Sequence, residues 1–405
     1  MRFDVADQAF RETAERWLAS LSDDTIVDLQ AVFAVSPGYY PTTLHELWQE
    51  EISRRGLASR SRPRNAALPG RRTPVSHPHD CDWRFTAEST QDLLQRATDG
   101  LATDACVAHL GAPSTFALGV KTRLDLRHVL LERNPAMTAA LETPGRESGA
   151  RVICVDLLQD DVPSLGAAAA IIDPPWYPGE TLAFLAAAAR VCGDGALLWL
   201  CQPTLATRPG VTDERALIVA ELPQLGLTTE ATHAATVRYN MPHFEAMSIR
   251  LASLDPPVPR TWRTGDLLVL RKVSEAPPLP PATLGSERWQ EVSFGLVRIK
   301  LRPSDTDNDL ASIVPGDVLH TVSRRDPVRA RIGLWTSGNR VYALADPEPV
   351  GKLIELCDID LGNMQFTFAR TLAHARRLGM SRSTAQRLFD VLLLELQEHS
   401  ASEGP

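Results

Sequence analysis

The chain has 405 residues, of which 44% are hydrophobic and 23% are charged, and its formal net charge at pH 7 is −8. This composition is typical of a globular protein with two or three domains, and the negative charge argues against a surface that coats nucleic acid uniformly. The longest apolar runs, residues 167–172 and 196–201, are too short for a membrane span, and the N-terminus lacks the apolar core of a signal peptide. The six cysteines show no paired spacing. We therefore expect a cytoplasmic chain with reduced cysteines and no membrane partner.

Apolar residues recur at helical spacing through residues 6–56, which predicts helices there. Residues 54–72 contain seven arginines and no acidic residue. A segment of this kind is either a solvated linker or a basic arm that contacts nucleic acid, and the linker is the better interpretation. We predict that residues 1–72 form an N-terminal helical region that ends in this basic linker.

From residue 101 onward, apolar runs alternate with helical patterns. The predicted strands cover residues 105–111, 127–134, 150–157, 167–173, 196–203, 227–240, 244–252 and 265–273. Near-continuous apolar strands separated by helices imply an α/β fold with a mainly parallel sheet that is covered on both faces. A proline-rich stretch at residues 277–281 marks a domain boundary. We therefore place one domain at residues 73–273 and a second at residues 274–405.

Four successive predicted strands end in chemically useful groups, Gly111, Glu132, Asp156 and Asp173. Ligands bind beyond the carboxyl ends of the strands in an open parallel sheet. A glycine loop lets the backbone approach a ligand, a carboxylate about 20 residues further on can accept both ribose hydroxyls, and a later carboxylate can accept from an adenine amino group. One acidic strand end is more often a turn residue, but four in order predict a nucleoside-type cofactor.

The loop after the first of these strands, GAPSTFALG, has neither the GxGxxG pattern of a dinucleotide-binding turn nor the lysine of a phosphate-binding loop. These absences disfavour a dinucleotide and favour S-adenosylmethionine as the cofactor.

The fourth strand runs directly into Asp173, Pro174, Pro175 and Trp176. An aromatic or amide NH₂ group is a poor nucleophile, because its lone pair is delocalised. The Asp173 carboxylate and the Pro174 carbonyl can each accept one N–H of such a group, and consecutive prolines fix φ and remove donors. Trp176, or Tyr177 beside it, can stack on a planar base. We predict that these four residues form the catalytic site and act by positioning and electrostatics.

This arrangement resembles the amino-methyltransferases that carry a (D/N)PP(Y/F/W) motif within the class I S-adenosylmethionine-dependent fold. More narrowly, residues 77–202 resemble the family of N6-adenine methyltransferases that includes eukaryotic elongation-factor lysine methyltransferases. The matching stretches are DWRFTAESTQDLLQRA, VAHLGAPSTFALG, VLLERNP, VICVDLL and IIDPPWY. The chain departs from the family in having Glu132 where the family usually has Asp, and in keeping only Trp83 and Phe85 of an aromatic run.

The resemblance implies a Rossmann-like fold with a seven-stranded sheet and S-adenosylmethionine as the cofactor. It implies cofactor contacts at Gly111, Ala112, Ser114, Glu132 and Asp156. It also implies contacts to the target amine at Asp173, Pro174 and Trp176. It does not decide between adenine and lysine as the acceptor, because the same motif serves both amines.

The last predicted domain contains a β-rich part, residues 286–346, and a helical part, residues 348–398. Residues 373–392 fit a helix-turn-helix pattern, in which Ser383 to Gln386 form a capping box that opens the second helix. Arg382, Thr384 and Arg387 are then expected to face the major groove of DNA. The alternative is an ordinary helical hairpin, and the sequence leaves both open.

Three other features have two interpretations each. Residues 322–340 carry five arginines and Trp335, and this segment either contacts nucleic acid or forms a half-buried strand. Asn240, His243 and Phe244 either line an acceptor pocket or belong to a hairpin turn. His77, His79 and Cys81 have metal-like spacing but no second ligand cluster, so we predict no metal site.

Taken together, the sequence predicts an S-adenosylmethionine-dependent amino-methyltransferase whose acceptor is the exocyclic amine of adenine in DNA or RNA. The first alternative is methylation of a lysine in a protein partner. A different class is a catalytically silent relative whose terminal domains act as an interaction scaffold.

Overall fold

The computed structural model describes residues 5–60, 74–252, 259–275, 289–306, 310–324, 326–357 and 364–402. The described residues fall into two compact units. The first unit takes them from 1–61, 83–240 and 259–284, and the second from 62–82, 241–258 and 285–405. The N-terminal helices therefore belong to the same unit as residues 83–240, whereas most of the predicted basic linker lies outside the described residues. The predicted division at residues 72 and 273 stays a prediction.

The first unit contains nine helices and seven strands among its described residues. The helices are α1 (Val5–Ala19), α2 (Asp23–Ile26), α3 (Leu29–Val35), α4 (Pro41–Arg55), α5 (Ala87–Thr98), α6 (Pro113–Thr122), α7 (Pro135–Glu147), α8 (Pro178–Val191) and α9 (Val211–Glu221). The strands are β1 (Cys106–Leu110), β2 (Arg127–Glu132), β3 (Arg151–Cys154), β4 (Ala167–Ile172), β5 (Cys192–Pro203), β6 (Leu227–Asn240) and β7 (Thr261–Lys272).

These strands form one sheet in the order β3-β2-β1-β4-β5-β7-β6. The pairs among β1 to β5 are parallel, and β7 is antiparallel to both β5 and β6. This confirms the predicted α/β class and the mainly parallel seven-stranded sheet.

Apolar side chains on both faces explain why the strands read as continuous apolar runs. Ile172, Leu131 and Leu198 lie in one buried cluster with residues of α8 and α9. Their neighbours Ile171 and Trp199 lie in a second cluster with residues of α5. Because successive strand residues point to opposite faces, a sheet covered on both sides needs apolar residues at consecutive positions.

The second unit contains the helices α10 (His243–Ala252), α11 (Pro347–Leu356), α12 (Met364–Arg377) and α13 (Arg382–Ser402). Its strands are β8 (Gln290–Phe294), β9 (Val297–Leu301), β10 (Ala311–Ser312), β11 (Leu334–Thr336) and β12 (Val341–Ala343). They form an antiparallel sheet in the order β10-β12-β11-β9-β8. Short 3₁₀ helices cover Pro78–Asp80, Pro315–Asp317 and Pro327–Arg331, and another, Leu222–Leu225, lies in the first unit.

One predicted strand is wrong, because residues 244–252 lie in helix α10. The backbone N–H groups of Glu245 and Ala246 bond to the carbonyl of Pro242, which begins the helix. Every residue from Met241 to Ile249 is buried, so the helix shows no exposed polar face that would have marked it in the sequence. A short apolar run fits a strand and a buried helix equally well, and periodicity alone did not separate them.

The predicted helix-turn-helix segment forms two helices, α12 and α13, joined by a turn in which Gly379 has φ of 72°. The predicted capping residue is wrong, because Ser381 rather than Ser383 accepts the backbone N–H of Thr384, at 3.1 Å. Thr384 is buried, so it does not face a groove. Arg387 is also partnered, since its guanidinium lies 5.2 Å from the ring of Tyr342.

Two other features of the second unit are now placed. Trp335 is fully buried in β11, which contradicts the interpretation in which it stacks on a base. His77 is buried with Nε2 3.0 Å from the carbonyl oxygen of Trp335. The described residues hold no group of three side chains arranged to bind a metal.

Across the described part of the chain, every helix is too short or too polar to cross a membrane.

His45 gives the stability of the first unit a dependence on pH. It is buried in α4, and this burial lowers the pKa of His45 to about 4. The unfolded chain takes up a proton near pH 6.5 whereas the folded chain does not, so stability falls as pH drops from about 6.5 towards 4. His45 alone should lower the free energy of unfolding by about 2 kcal/mol between pH 7.5 and pH 5.

Urea denaturation at both pH values checks this expectation. His45→Leu should lose about 2 kcal/mol of the pH-dependent change. An unchanged pH dependence in His45→Leu would contradict the assignment.

Candidate active site at the carboxyl edge of the sheet

The structure brings the four predicted strand-end groups to one edge of the sheet. Gly111 follows β1, Glu132 ends β2, Asp156 lies two residues beyond β3, and Asp173 follows β4. These four strands are neighbours in the sheet order. The backbone N–H of Gly111 donates to Leu131, and that of Asp173 donates to Leu110, each at 3.0 Å. The groups therefore lie side by side beyond the carboxyl ends of the parallel strands.

The loop after β1 lies directly against Asp173. Gly111 has φ of 61°, and a Cβ atom there would lie 2.9 Å from Cε1 of Phe184 and 3.0 Å from the carbonyl oxygen of Asp173. Ala112 is fully buried, and Ser114 is half-buried in the first turn of α6. Only glycine combines this backbone conformation with so close an approach.

Glu132 and Asp156 are half-buried carboxylates that the following loops hold in place. Glu132 Oε1 accepts the backbone N–H of Asn134 at 2.9 Å, and Asp156 Oδ1 accepts that of Leu158 at 3.0 Å. Asp156 therefore is a turn residue, as the alternative interpretation holds. A carboxylate offers about four lone-pair positions, so one backbone bond does not prevent it from also accepting from a ligand.

The Asp173 carboxylate is oriented by a buried tyrosine. The Tyr239 hydroxyl donates to Asp173 Oδ1 at 2.7 Å, and Tyr239 is 2% exposed. Burial, together with the negative charge of Asp173 and the nearby Cys201, raises the pKa of Tyr239 well above its ordinary value of 10. Tyr239 therefore stays protonated at physiological pH and acts as a hydrogen-bond donor to the carboxylate.

The backbone carbonyls that follow Asp173 differ in their hydrogen bonding. Pro175 accepts the N–H of Tyr177 at 2.7 Å, and Trp176 accepts from the Arg208 guanidinium at 2.7 Å. The carbonyl of Tyr177 accepts from the first turn of α8. Within residues 174–177, Pro174 alone has a carbonyl that accepts no hydrogen bond from any described residue. This oxygen remains able to accept from a ligand.

Trp176 is only 9% exposed and lies against other aromatic rings. Its ring centre is 5.5 Å from that of Tyr239, edge to face, and the Arg263 guanidinium lies 4.8 Å from it. A Cβ atom on Gly265 would approach Trp176 Cζ2 to 2.9 Å, so the indole needs glycine there. Stacking of a substrate base on Trp176 stays a prediction.

Sequence reasoning missed Tyr239, Arg263 and Tyr40 as residues of this site. Tyr239 and Arg263 are register partners on β6 and β7, and the Arg263 guanidinium also lies 5.4 Å from the ring of Tyr40. Tyr40 comes from the N-terminal helical region, which the sequence analysis treated as a separate segment. Asn240, which sequence reasoning did consider, donates through Nδ2 to the Phe85 carbonyl at 2.8 Å, and His243 and Phe244 lie in α10.

The close contact at Gly111 predicts a specific loss of stability. Gly111→Ala should destabilise the chain through its positive φ, at a cost of about 1 kcal/mol, and further through the contact with Phe184 and Asp173. Gly149 also has positive φ, at 75°, but a Cβ atom there would meet nothing within 4 Å. Gly149→Ala should therefore show the conformational cost alone, measured as the free energy of unfolding in urea. Equal losses in the two variants would disprove the contact.

Comparison with solved structures identifies the fold. The branched-chain polyamine synthase of Thermus thermophilus, solved with N4-aminopropylspermidine and 5'-methylthioadenosine, matches with a TM-score of 0.50 and 18% identity over 71% of this chain and 97% of that chain. A mutein of that synthase matches with a TM-score of 0.49 and 17% identity over 70% and 96% of the two chains. An N-methyltransferase of Bradyrhizobium japonicum, solved with S-adenosyl-L-homocysteine, has a TM-score of 0.32 and 14% identity over 46% and 86% of the two chains.

No family model and no curated protein sequence matches the chain. At this identity, the likeness to the Thermus thermophilus synthase shows the fold alone. The strand order described above is the second observation on which the fold assignment rests. The first unit of this chain has a Rossmann-like fold, with a mainly parallel seven-stranded sheet between two layers of helices.

Proposed function

We propose that this protein is an S-adenosylmethionine-dependent N-methyltransferase that methylates the exocyclic amine of adenine in DNA or RNA. The observation that carries the proposal is a pair of hydrogen-bond acceptors at the end of β4. One is the Asp173 carboxylate, which Tyr239 orients, and the other is the Pro174 carbonyl, which accepts from no described residue. An NH₂ group has two N–H donors, and the pair supplies one acceptor for each.

The edge of the sheet fits the proposed cofactor. The Gly111 loop leaves room where a side chain would collide, so a ligand can approach the backbone there. Glu132 would accept from the ribose hydroxyls, and Asp156 from the adenine amino group, in the order in which β2 and β3 present them. Ala112 and Ser114 would contribute from the same loop. The synthase of the same fold was solved with 5'-methylthioadenosine, an adenosine thioether, which agrees with such a ligand.

The residues of the chain would activate the acceptor by geometry. When bound, S-adenosylmethionine supplies a methyl group on a sulfonium, and its sulfur becomes a neutral thioether as the nitrogen–carbon bond forms. Asp173 and Pro174 would hold the two N–H groups so that the nitrogen lone pair turns out of the plane of the base. Asp173 would then accept the proton that the methylated nitrogen must lose. Positioning and fixed dipoles of this kind supply most of the rate in such a site.

Arg263 favours adenine over lysine as the acceptor. Its half-buried guanidinium has no carboxylate or hydrogen-bond acceptor among the described residues, and it lies on the strand paired with Tyr239. A nearby positive charge repels the ammonium group of a lysine or a polyamine but not the neutral amine of adenine. Nucleic acid, which brings negative charge, is therefore the partner that this site suits best, and a protein substrate is the competing outcome.

The first test separates the proposed role of Asp173 in methyl transfer from the proposed role of Glu132 in cofactor binding. Purified protein is incubated with methyl-labelled S-adenosylmethionine and separate pools of DNA, RNA and protein. We expect label in a nucleic-acid pool, and Asp173→Ala should reduce its incorporation by about 100-fold or more. Asp173→Ala should leave the dissociation constant of the cofactor nearly unchanged, whereas Glu132→Ala should raise it by about tenfold. Label in the protein pool alone would refute the adenine acceptor, and full activity of Asp173→Ala would refute the role of Asp173.

A second test concerns the hydrogen bond that orients the carboxylate. Tyr239→Phe should lower kcat by about 10- to 100-fold with little change in cofactor affinity, because the carboxylate loses its fixed orientation. Tyr342→Phe is the matched control, since the buried Tyr342 hydroxyl donates to Asp317 Oδ2 at 3.0 Å in the second unit. Both variants should lose similar stability, about 1 kcal/mol. Equal effects of the two variants on kcat would show that Tyr239 acts only on folding.

A further inference from the structure

We infer that Arg263 binds a phosphate group next to the acceptor adenosine, so that the site recognises a phosphate-bearing nucleotide rather than the free nucleoside. The inference rests on the proposed function and names the chemical group by which that function selects its substrate. The phosphate belongs either to a nucleic-acid strand or to a mononucleotide, and the experiment below separates these two sources.

Arg263 lies where such a contact is geometrically available. It is the third residue of β7, which runs antiparallel to its neighbours, so this end of β7 lies at the carboxyl edge of the parallel strands. Its register partner on β6 is Tyr239, and side chains of paired residues lie on the same face of a sheet. Tyr239 in turn donates to Asp173. One cross-strand pair therefore separates the guanidinium from the proposed acceptor site.

Three aromatic rings surround the guanidinium. Its Cζ atom lies 4.1 Å from the ring of Trp83, 4.8 Å from that of Trp176 and 5.4 Å from that of Tyr40. Aromatic faces attract a cation but accept no hydrogen bonds in the plane of the guanidinium. These contacts hold the group in place and bury Nε, and they leave its N–H donors without an acceptor from the described residues.

No described residue satisfies those donors. Arg263 Nε is buried without a hydrogen-bond partner, and the described residues place neither a carboxylate nor a carbonyl within bonding distance of the guanidinium. Two other half-buried arginines of the first unit differ in this respect. Arg208 bonds to Glu214 and Arg215 bonds to Asp266, each at 2.6 Å. Arg133, whose Nη2 is also buried without a hydrogen-bond partner, resembles Arg263 in this respect, but it does not lie on β7.

A partly desolvated cation without a counter-ion is costly, and a ligand that brings the missing anion removes that cost. The guanidinium presents a rigid fork of donors that matches a phosphate or carboxylate in a bidentate manner. Adenine itself has no negative charge, but a nucleotide that contains it has a phosphate attached to the same sugar. The geometry therefore points to phosphate recognition beside the acceptor amine.

The experiment uses the full chain and changes both sides of the proposed contact. The probes are fluorescein-labelled DNA and RNA strands with a single adenosine, each made with ordinary phosphodiesters or with uncharged methylphosphonates flanking that adenosine. Binding is measured by fluorescence anisotropy with S-adenosylhomocysteine present, and methyl transfer is measured separately. We expect methylphosphonates to weaken wild-type binding by about tenfold, and Arg263→Gln to weaken phosphodiester binding by about as much.

The two changes should not add, because each removes the same contact. Arg263→Lys should fall between Arg263 and Arg263→Gln, since lysine keeps the charge but not the fork of donors. Arg271→Gln is the matched control, because Arg271 lies at the other end of β7 and pairs with Glu230. If the losses of affinity from the methylphosphonates and from Arg263→Gln multiplied, the inference would be overturned. It would also be overturned if the wild type bound the phosphodiester and methylphosphonate strands equally, or bound neither.

Competition by adenosine 5'-monophosphate separates the two phosphate sources. If it displaces the strand in wild type but not in Arg263→Gln, and binds as tightly as the strand, the ligand is a mononucleotide. If only the strand shows the dependence on Arg263, the ligand is nucleic acid. If the effects of the methylphosphonates and of Arg263→Gln on binding are not additive but no methyl transfer occurs, the proposed function is refuted and the phosphate contact is kept. If methyl transfer occurs but the two effects on binding are independent, the function is kept and the contact is refuted.

Discussion

The register between β1 and its two neighbours determines where Gly111, Glu132 and Asp173 lie. Leu110 is aligned with Leu131 on one side and with Ile172 on the other, so the three strands end within one residue of each other. The next residues, Gly111 and Asp173, then bond back to this ladder. A slip of one residue would turn each strand-end side chain to the opposite face of the sheet. The candidate cofactor groups and the candidate acceptor group thus depend on one set of backbone hydrogen bonds.

The antiparallel strand β7 supplies what the parallel strands cannot. Strand β7 lies between β5 and β6 and runs antiparallel to both. Because of this direction, its first residues lie at the edge at which the parallel strands end. Arg263 and Gly265 lie two residues apart and so face the same side of the sheet. On that side the Trp176 indole packs against Gly265 and contacts the Arg263 guanidinium. The proposed cofactor side of the site therefore derives from β1 to β3, and the proposed acceptor side derives from β4, β6 and β7.

The sequence predicted the sheet well because the signal for it is local. A fully buried parallel strand is an apolar run of limited length, and the strand predicted at residues 167–173 contains β4, Ala167–Ile172. Asp173 and Gly111 were predicted as site residues because they end such runs. Tyr239 and Arg263 were not predicted, because their place beside Asp173 depends on pairing between strands that are distant in sequence. The helix at residues 243–252 was mistaken for a strand for a related reason, since a short apolar run does not reveal its partners.

In the proposed site, the opposite charges of Asp173 and Arg263 would act together in selecting the acceptor. A carboxylate that accepts hydrogen bonds from an amine also attracts any ammonium ion, so Asp173 alone would favour lysines and polyamines. In general, two like charges that lie about 6 Å apart at an effective dielectric constant of about 20 repel each other by about 3 kcal/mol. Arg263 would thus cancel the attraction for cationic amines, while a neutral amine that carries a phosphate nearby gains from both groups. Discrimination of this kind requires a repulsive element as well as an attractive one. On a chain with a net charge of −8, an arginine without an ion-pair partner among the described residues would provide that element locally under the proposed function.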